Sequence, residues 1–287
     1  MSDHRLSRAP RLTTFLLAAV AVLIVAAPLA SHDFWLIPHA FQLAPGEELV
    51  VSGQTSSDFP TTLSAVTPDR IASAVLLGAG FDERISDLGV AETSLRLRHR
   101  PERSGQALVA VTVHPRSIPE SPESFRRYLT LEGAPEALER YEREGILPTD
   151  SISRRYAKYA KSLVQVGEAG PAAYGVEAGH PLEFVPLTDP SVAGEDNELR
   201  FRMLLFGEPL PHARGHASVA ESMTSETAYH HAEFESDAEG VFAIDAEAVG
   251  IWNVRALYIL PAPEDSGADW DVHWATYVWS NGGVGMR

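Results

Sequence analysis

The sequence predicts a mainly β fold, two β-sandwich domains joined by a helical insertion. Three observations predict it. Up to about Ser117, short runs alternate apolar and polar residues with period two; between Pro119 and Leu163 three helix-start signals replace them; from about Val164 the period-two runs return and continue toward the C-terminus. Apolar residues make up 45% of the chain, enough for a real core.

Residues 1–31 read as a signal peptide that stands outside the fold. Arg5, Arg8 and Arg11 precede an apolar run from Phe15 to Ala27, which ends in Pro28-Leu29-Ala30-Ser31. The run approaches the roughly 20 residues of a membrane span, but Pro28 and the small residues beside it favour cleavage. Cuts after Ala27, Ala30 and Ser31 each miss the small-residue pattern, the first two through Pro28 and the third through bulky Leu29; a cut between Ser31 and His32 makes His32 the new terminus. The expected product is periplasmic or secreted, with no stable membrane insertion after cleavage.

Residues 32–117 form the expected N-terminal β-sandwich. Glu47 to Gly53 follows a Pro45-Gly46 turn, Ile71 to Leu77 is apolar, Thr93 to His99 alternates, and Ala107, Val109, Val111 and Val113 share one face of a further strand. Residues 118–163 form the helical insertion. Ser121-Pro122-Glu123, Ala134-Pro135-Glu136 and Thr149-Asp150-Ser151 each read as a helix start. Phe125, Tyr128 and Leu129 line the first helix, Leu138, Tyr141 and Glu142 the second, and Tyr156, Tyr159, Ala160 and Leu163 the third.

Residues 164–287 form the second sandwich, of the immunoglobulin or prealbumin kind. Leu199, Phe201, Met203 and Leu205 alternate with Arg200 and Arg202 before a turn at Gly207-Glu208-Pro209, and Val241 to Ile244 follows a turn ending at Gly240. Trp252, Val254, Ala256, Tyr258 and Leu260 alternate, as do Trp270, Val272, Trp274, Thr276 and Val278. Trp252, Trp270 and Trp274 are assigned to the core, and Trp279, on the opposite face, to a surface position able to meet a carbohydrate.

The formal net charge is −16, and the signal segment removes more positive than negative charge, so the remainder is more acidic still. Such a surface repels phosphate backbones and anionic lipid, which disfavours nucleic acid as a partner and favours cations. The chain has no cysteine. Disulfides, thiolate nucleophiles and sulfur-ligated metals are therefore excluded, and any metal must be held by His, Asp, Glu or a terminal amine. No Gly-x-Ser-x-Gly elbow, phosphate-cradling loop or His-Glu-x-x-His pair is present, so no reaction is expected.

A set of motifs runs through the chain in order: His32-Asp33-Phe34-Trp35-Leu36-Ile37-Pro38, Tyr159-Ala160-Lys161-Ser162-Leu163-Val164, Gly179-His180-Pro181-Leu182-Glu183-Phe184-Val185-Pro186, Leu199-Arg200-Phe201-Arg202 with Gly207-Glu208-Pro209-Leu210, Gly240-Val241-Phe242, Gly250-Ile251-Trp252-Asn253-Val254-Arg255-Ala256 and Asp269-Trp270. Together they resemble the bacterial exported family called domain of unknown function 4198, some of whose members are labelled periplasmic components of nickel or cobalt uptake. The resemblance implies a periplasmic protein that ends in a carboxypeptidase-regulatory-like or prealbumin-like β-domain and handles a divalent metal. Similar chains often carry a His-Met pair where this one reads Leu257-Tyr258-Ile259.

The candidate metal ligands are His32, His39, His231, Glu233 and His273. As a mature N-terminus, His32 offers an amine and an imidazole to one copper or nickel ion, completed by another histidine; the alternative is a residue that simply starts the first strand. Asp33 points away from His32 in an extended strand. His39 either folds back toward His32 or is solvated. His231 and Glu233 share one strand face, and Asp269, Asp271 and His273 another; each set offers nitrogen and carboxylate to a borderline ion, or is a polar face turned to solvent. His212 and His216, about 13 Å apart if extended, meet only in a curled loop.

The expected function is therefore a soluble periplasmic binding or accessory protein for a divalent transition metal, nickel, cobalt, copper or zinc, serving a membrane transporter component. The alternative is a non-catalytic structural or recognition module for a glycan, peptide or envelope partner.

Overall fold

The computed structural model describes residues 32–131, 135–168, 170–192 and 197–282, without the side chains of residues 131, 135, 136, 230 and 231. The expected signal segment 1–31 lies outside the described residues. Among them, no helix is long and apolar enough to cross a membrane.

The chain begins with β1 (Asp33–Pro38), β2 (Gln42–Leu43), β3 (Leu49–Ser56), β4 (Ile71–Gly78), β5 (Phe81–Arg84), β6 (Asp87–Ala91), β7 (Ser94–His99) and the long β8 (Gly105–Glu120). Two helices follow, α1 (Pro122–Leu131) and α2 (Pro135–Glu144), then β9 (Ile152–Val166). The remainder is β10 (Leu182–Pro186), β11 (Glu198–Leu205), β12 (Glu208–Pro209), β13 (Arg214–Ala220), β14 (His230–Glu235), β15 (Val241–Asp245), β16 (Ile251–Pro261) and β17 (Trp270–Ser280). The fold is mainly β, as the alternation predicts, with the helices between β8 and β9.

Three sheets result. A nine-stranded sheet runs β14-β13-β16-β17-β9-β8-β4-β5, with β2 paired to the end of β9. A four-stranded N-terminal sheet runs β1-β3-β7-β6, and a four-stranded C-terminal sheet joins β10, β11, β12 and β15. The large sheet is shared by two sandwiches. On one face Ala107, Val109, Val111 and Val113 of β8 and Ala160, Val164 and Val166 of β9 pack against Phe34, Leu36, Leu49, Val51, Leu95 and Leu97 of the N-terminal sheet. On the other, Tyr159 and Leu163 of β9, Tyr277 and Trp279 of β17 and Trp252 and Val254 of β16 pack against Leu182, Phe184, Phe201, Met203 and Phe242 of the C-terminal sheet.

The first two helices form where their start signals place them. Pro122 opens α1, and the Ser121 hydroxyl accepts the Ser124 N–H at 3.1 Å, which satisfies a donor the first turn leaves open. Phe125, Tyr128 and Leu129, with Tyr141 from α2, bury against Leu257, Ile259, Trp270, Val272 and Trp274. The third expected helix is strand β9 instead, antiparallel to β8 and parallel to β17. Because both faces of β9 are covered, its apolar residues do not alternate, and Tyr156, Tyr159, Ala160 and Leu163 fall by chance at helical spacing. The expected boundaries at 117 and 163 consequently lie within β8 and β9. Trp279 also departs from expectation. It is fully buried, 5.8 Å from Trp252 in a stacked pair, because the C-terminal sheet covers the face assigned to solvent.

β9 carries buried charge as well. Lys161 Nζ donates to Glu183 Oε1 at 2.6 Å, and both side chains are all but excluded from solvent. The Glu183 carboxylate also accepts the N–H groups of Ala178, Gly179 and His180 at 2.6, 3.0 and 3.1 Å, which folds the segment before β10 onto the sheet. Beside it, three rings lie in a row: Tyr159 stands 5.4 Å from His180 and 5.9 Å from His273, whose Nδ1 lies 3.1 Å from the Tyr159 hydroxyl. Burial pushes His180 and His273 down to about 4, against the opposing pull of Glu183 and Asp271.

These buried groups make stability sensitive to both mutation and pH. Lys161→Met leaves the Glu183 charge without its counter-ion and should lower the unfolding free energy by about 3–5 kcal/mol in urea titration; Glu183→Leu should cost more, since three backbone donors lose their acceptor. The second expectation concerns pH. Unfolded imidazoles take up protons near pH 6.5 whereas these two stay neutral down to about 4, so the unfolded state binds more protons in that window and stability falls as pH falls through it. The loss should approach ~3 kcal/mol per histidine. His273→Gln should remove about half of the dependence; an unchanged slope in unfolding curves across the window would refute the assignment.

Candidate functional site

The candidate site is a polar cleft at the open end of β1, where the first residues of the fold meet strands from its last third. All six residues of β1 are buried, because the strand pairs with β3 on one edge and lies across β9 and β17. Its polar groups are tied to those strands. The Thr276 hydroxyl donates to the Phe34 carbonyl at 2.7 Å, Lys158 Nζ donates to the His32 carbonyl at 2.5 Å, and Arg255 Nη1 donates to Asp33 Oδ2 at 2.7 Å.

The register of the large sheet supplies the floor. His216 of β13 sits opposite Arg255 of β16, which sits opposite Thr276 of β17; two positions along, on the same face, Ser218 faces Asn253, which faces Val278. Residues directly opposite in an antiparallel pair share a face, so an imidazole, a guanidinium, a hydroxyl and an amide are grouped under β1. The roof is the turn Ser57-Asp58-Phe59, whose Phe59 ring meets the edge of Trp35 at 5.3 Å. Between floor and roof lies a cavity of about 180 Å³, lined by Asp33 and Trp35, by this turn, and by His216, Ser218, Thr227 and Arg255.

The cleft holds charges of both signs at different depths. Asp33 is only 2% exposed, and its Oδ1 has no hydrogen-bond partner among the described residues. Burial pushes the Asp33 carboxyl up, against the downward pull of Arg255 and Lys158. Burial pushes Lys158 down to about 8, with Asp33 pulling the other way. His32 is partly buried and is lowered by that burial and by Lys158, with Asp58 opposing. Its ring is therefore neutral at pH 7, with a lone pair available to a metal. The Asn253 amide, also buried, has no hydrogen-bond partner among the described residues.

The other sequence candidates are spread through the fold. β1 stays extended, so His39 lies at its far end, about 23 Å from His32 at a rise of ~3.3 Å per residue, and its Nε2 lies 2.9 Å from the Ser52 hydroxyl. His231 pairs with Ser218 in register, and Glu233, exposed, pairs with His216, which places both beside the cleft row; the side chain of His231 lies outside the described residues. His273 belongs to the ring stack on the opposite face. β17 is buried throughout, so Asp271 and His273 do not form a solvent face: Asp271 instead accepts two hydrogen bonds from Arg155 at 2.7 and 2.6 Å. Asp269 accepts the Ser153 N–H at 2.7 Å. His212 is exposed in a left-handed turn before β13, 3.9 Å from Glu235. Among the described residues, no three His, Asp or Glu side chains are grouped as a ready ligand set.

Arg255, Asn253, Lys158 and Asp58 escape the sequence reading. The first two alternate with Trp252 and Val254, which reads as an ordinary solvent face. Only the packing of β1 over that face reveals them.

Similarity to solved structures is low. Salmonella alpha-2-macroglobulin reacted with methylamine aligns with 88% of this chain at 12% identity and a TM-score of 0.24, and this chain spans only 15% of that one. The D0-D1 domain of Intimin aligns over 86% of this chain and 97% of its own at 11% identity and a TM-score of 0.19. The human OSCAR ligand-binding domain aligns over 88% and 100% at 12% identity and a TM-score of 0.18. No curated protein matches the chain. Residues 29–260, which include β1, the Lys161–Glu183 pair and the cleft, match the model of the domain of unknown function DUF4198, and the chain belongs to that family.

Proposed function

We propose that the protein is a non-catalytic periplasmic binding protein that carries a divalent transition metal, nickel, cobalt, copper or zinc, in the cleft at the open end of β1 and serves a membrane uptake component. The observation that supports the reading is the placement of His216, Asp33 and Asp58 in the lining of one small cleft, with His32 near enough to Asp58 to feel its charge. Neutral imidazole and carboxylate are donors that suit borderline divalent ions, and the chain has no thiol to compete with them. The acidic remainder of the surface concentrates cations around the protein. Periplasmic placement follows from the signal features of residues 1–31. Trp35 and Phe59 in the cleft wall favour the second reading, a module that recognises a peptide or glycan.

The two readings separate in a thermal melt. A ligand at about 100 times its Kd stabilises the folded state by ~2.7 kcal/mol, which for a chain of this length raises Tm by roughly 5–10 °C. We expect one of the four ions to produce such a shift, His32→Ala and His216→Ala each to abolish it, and His39→Ala to leave it intact. The absence of a shift with every ion, in a preparation whose intact mass confirms the terminus at His32, would favour the recognition module.

A further inference from the structure

We propose that the cleft recognises an α-ammonium group, placed on Asp33, together with the oxygen of the neighbouring carbonyl or carboxylate, placed on Arg255. This is the chemistry shared by a free α-amino acid and the amino terminus of a peptide; the inference rests on the second reading above, the recognition module, and requires no ion. The first observation is an acceptor awaiting a donor. Asp33 lines the cavity and is almost wholly buried. Its Oδ2 accepts from Arg255 at 2.7 Å, whereas its Oδ1 has no hydrogen-bond partner among the described residues. Buried acceptors left unpaired are costly, so a ligand that brings an N–H completes the site.

The second is charge. Two carboxylates, Asp33 and Asp58, and one guanidinium, Arg255, line the cavity. Lys158 also acts on the Asp33 carboxyl, but it donates to the His32 carbonyl and does not line the cavity. A bare cation is attracted by the carboxylates and repelled by the guanidinium. A ligand with a positive nitrogen two bonds from an oxygen is matched at both ends. The guanidinium presents five N–H donors in a planar fork. Its Nη1 is engaged with Asp33, and 29% of the side chain is exposed, so the fork holds the ligand's oxygen next to the Asp33 carboxylate that holds its nitrogen.

The third is shape. A water molecule occupies about 30 Å³, so a cavity of about 180 Å³ has room for a small amino acid or the first residue of a peptide. Trp35 and Phe59 meet edge to face and are both buried. They close the wall but expose too little ring for a sugar to stack on, which favours the amino-acid or peptide ligand over a glycan. Ser57, Asp58 and Thr227, also in the lining, are exposed, and this solvent side gives the rest of a peptide a way out.

The test is titration calorimetry on the secreted protein stripped of metal by a chelator, with glycine, serine, triglycinamide, the N-acetylated form of each, and propylamine as probes. At least one of the first three should bind, with its N-acetylated form and propylamine tenfold weaker or more. Binding of glycine or serine alone identifies a free amino acid as the ligand, and of triglycinamide alone a peptide amino terminus. Asp33→Asn should lower the affinity tenfold or more. Arg255→Lys keeps the charge but loses the fork, and should narrow the preference over propylamine. The N-acetyl comparison needs no variant, so the test stands even where Asp33→Asn fails to fold. An N-acetylated probe that binds as well as its parent compound overturns the ammonium while leaving a recognition module intact, and propylamine that binds equally well overturns the role of Arg255. Binding that appears only when nickel, cobalt, copper or zinc is restored overturns the inference in favour of the metal reading, and no binding of any probe in either condition overturns it outright.

Discussion

The constraint on which the rest of this structure depends is that β9 is covered on both faces. In its second half Ala160, Val164 and Val166 meet the N-terminal sheet while Ala157, Tyr159 and Leu163 meet the C-terminal sheet, and in its first half Ile152 and Tyr156 meet the helices. A strand in that position has no side on which to leave a charge, yet it carries Lys158 and Lys161. Three residues apart in a strand, they point to opposite faces, and each fixes one layer. Lys158 bonds the first carbonyl before β1, and Lys161 bonds the carboxylate that folds the turn before β10. A buried ammonium without a counter-charge is strongly unfavourable, so both lysines demand that these segments dock where they do.

The motifs that carry the family resemblance make sense on this basis as contact pairs. Tyr159-Ala160-Lys161 and the segment from Gly179 to Pro186 are the two halves of the Lys161–Glu183 pair, together with the rings of Tyr159 and His180. His32-Asp33-Phe34-Trp35 and Trp252-Asn253-Val254-Arg255 are the two halves of the ion pair under β1, 222 residues apart in sequence. Neither half of either pair is informative by itself. A Lys on a strand, or an Asp after a signal segment, has many possible reasons; the reason becomes specific only when the topology brings its partner to it.

Legibility followed burial. Strands with one solvated face could be read directly: β7 and β11 alternate in sequence and in exposure, and β4 lies where its apolar run places it. Where both faces are covered the period-two signal disappears, which is why β9 read as a helix and why Trp279, Asp271 and His273 read as surface. The same effect hid most of the cleft. His32 stood out because imidazole is scarce and chemically distinctive. Arg255 and Asn253 obeyed a perfect alternation, but the face they occupy is covered by β1 and the turn at Ser57-Asp58-Phe59. Alternation states which residues share a face; it does not state what covers it.

That cover links binding to folding. The cleft has one wall from the first residues of the fold and the other from β13 and β16, so a ligand that touches both is a cross-link between distant parts of the chain. Whatever binds there favours the docked position of β1 over any state in which it peels away, and by reciprocity a β1 that is firmly docked binds more tightly. The ties of β1 to Lys158, Arg255 and Thr276 thus do more than close the N-terminal sandwich. They hold the His32 carbonyl and Asp33 in place, which would reduce the ordering required of any ligand that bound there.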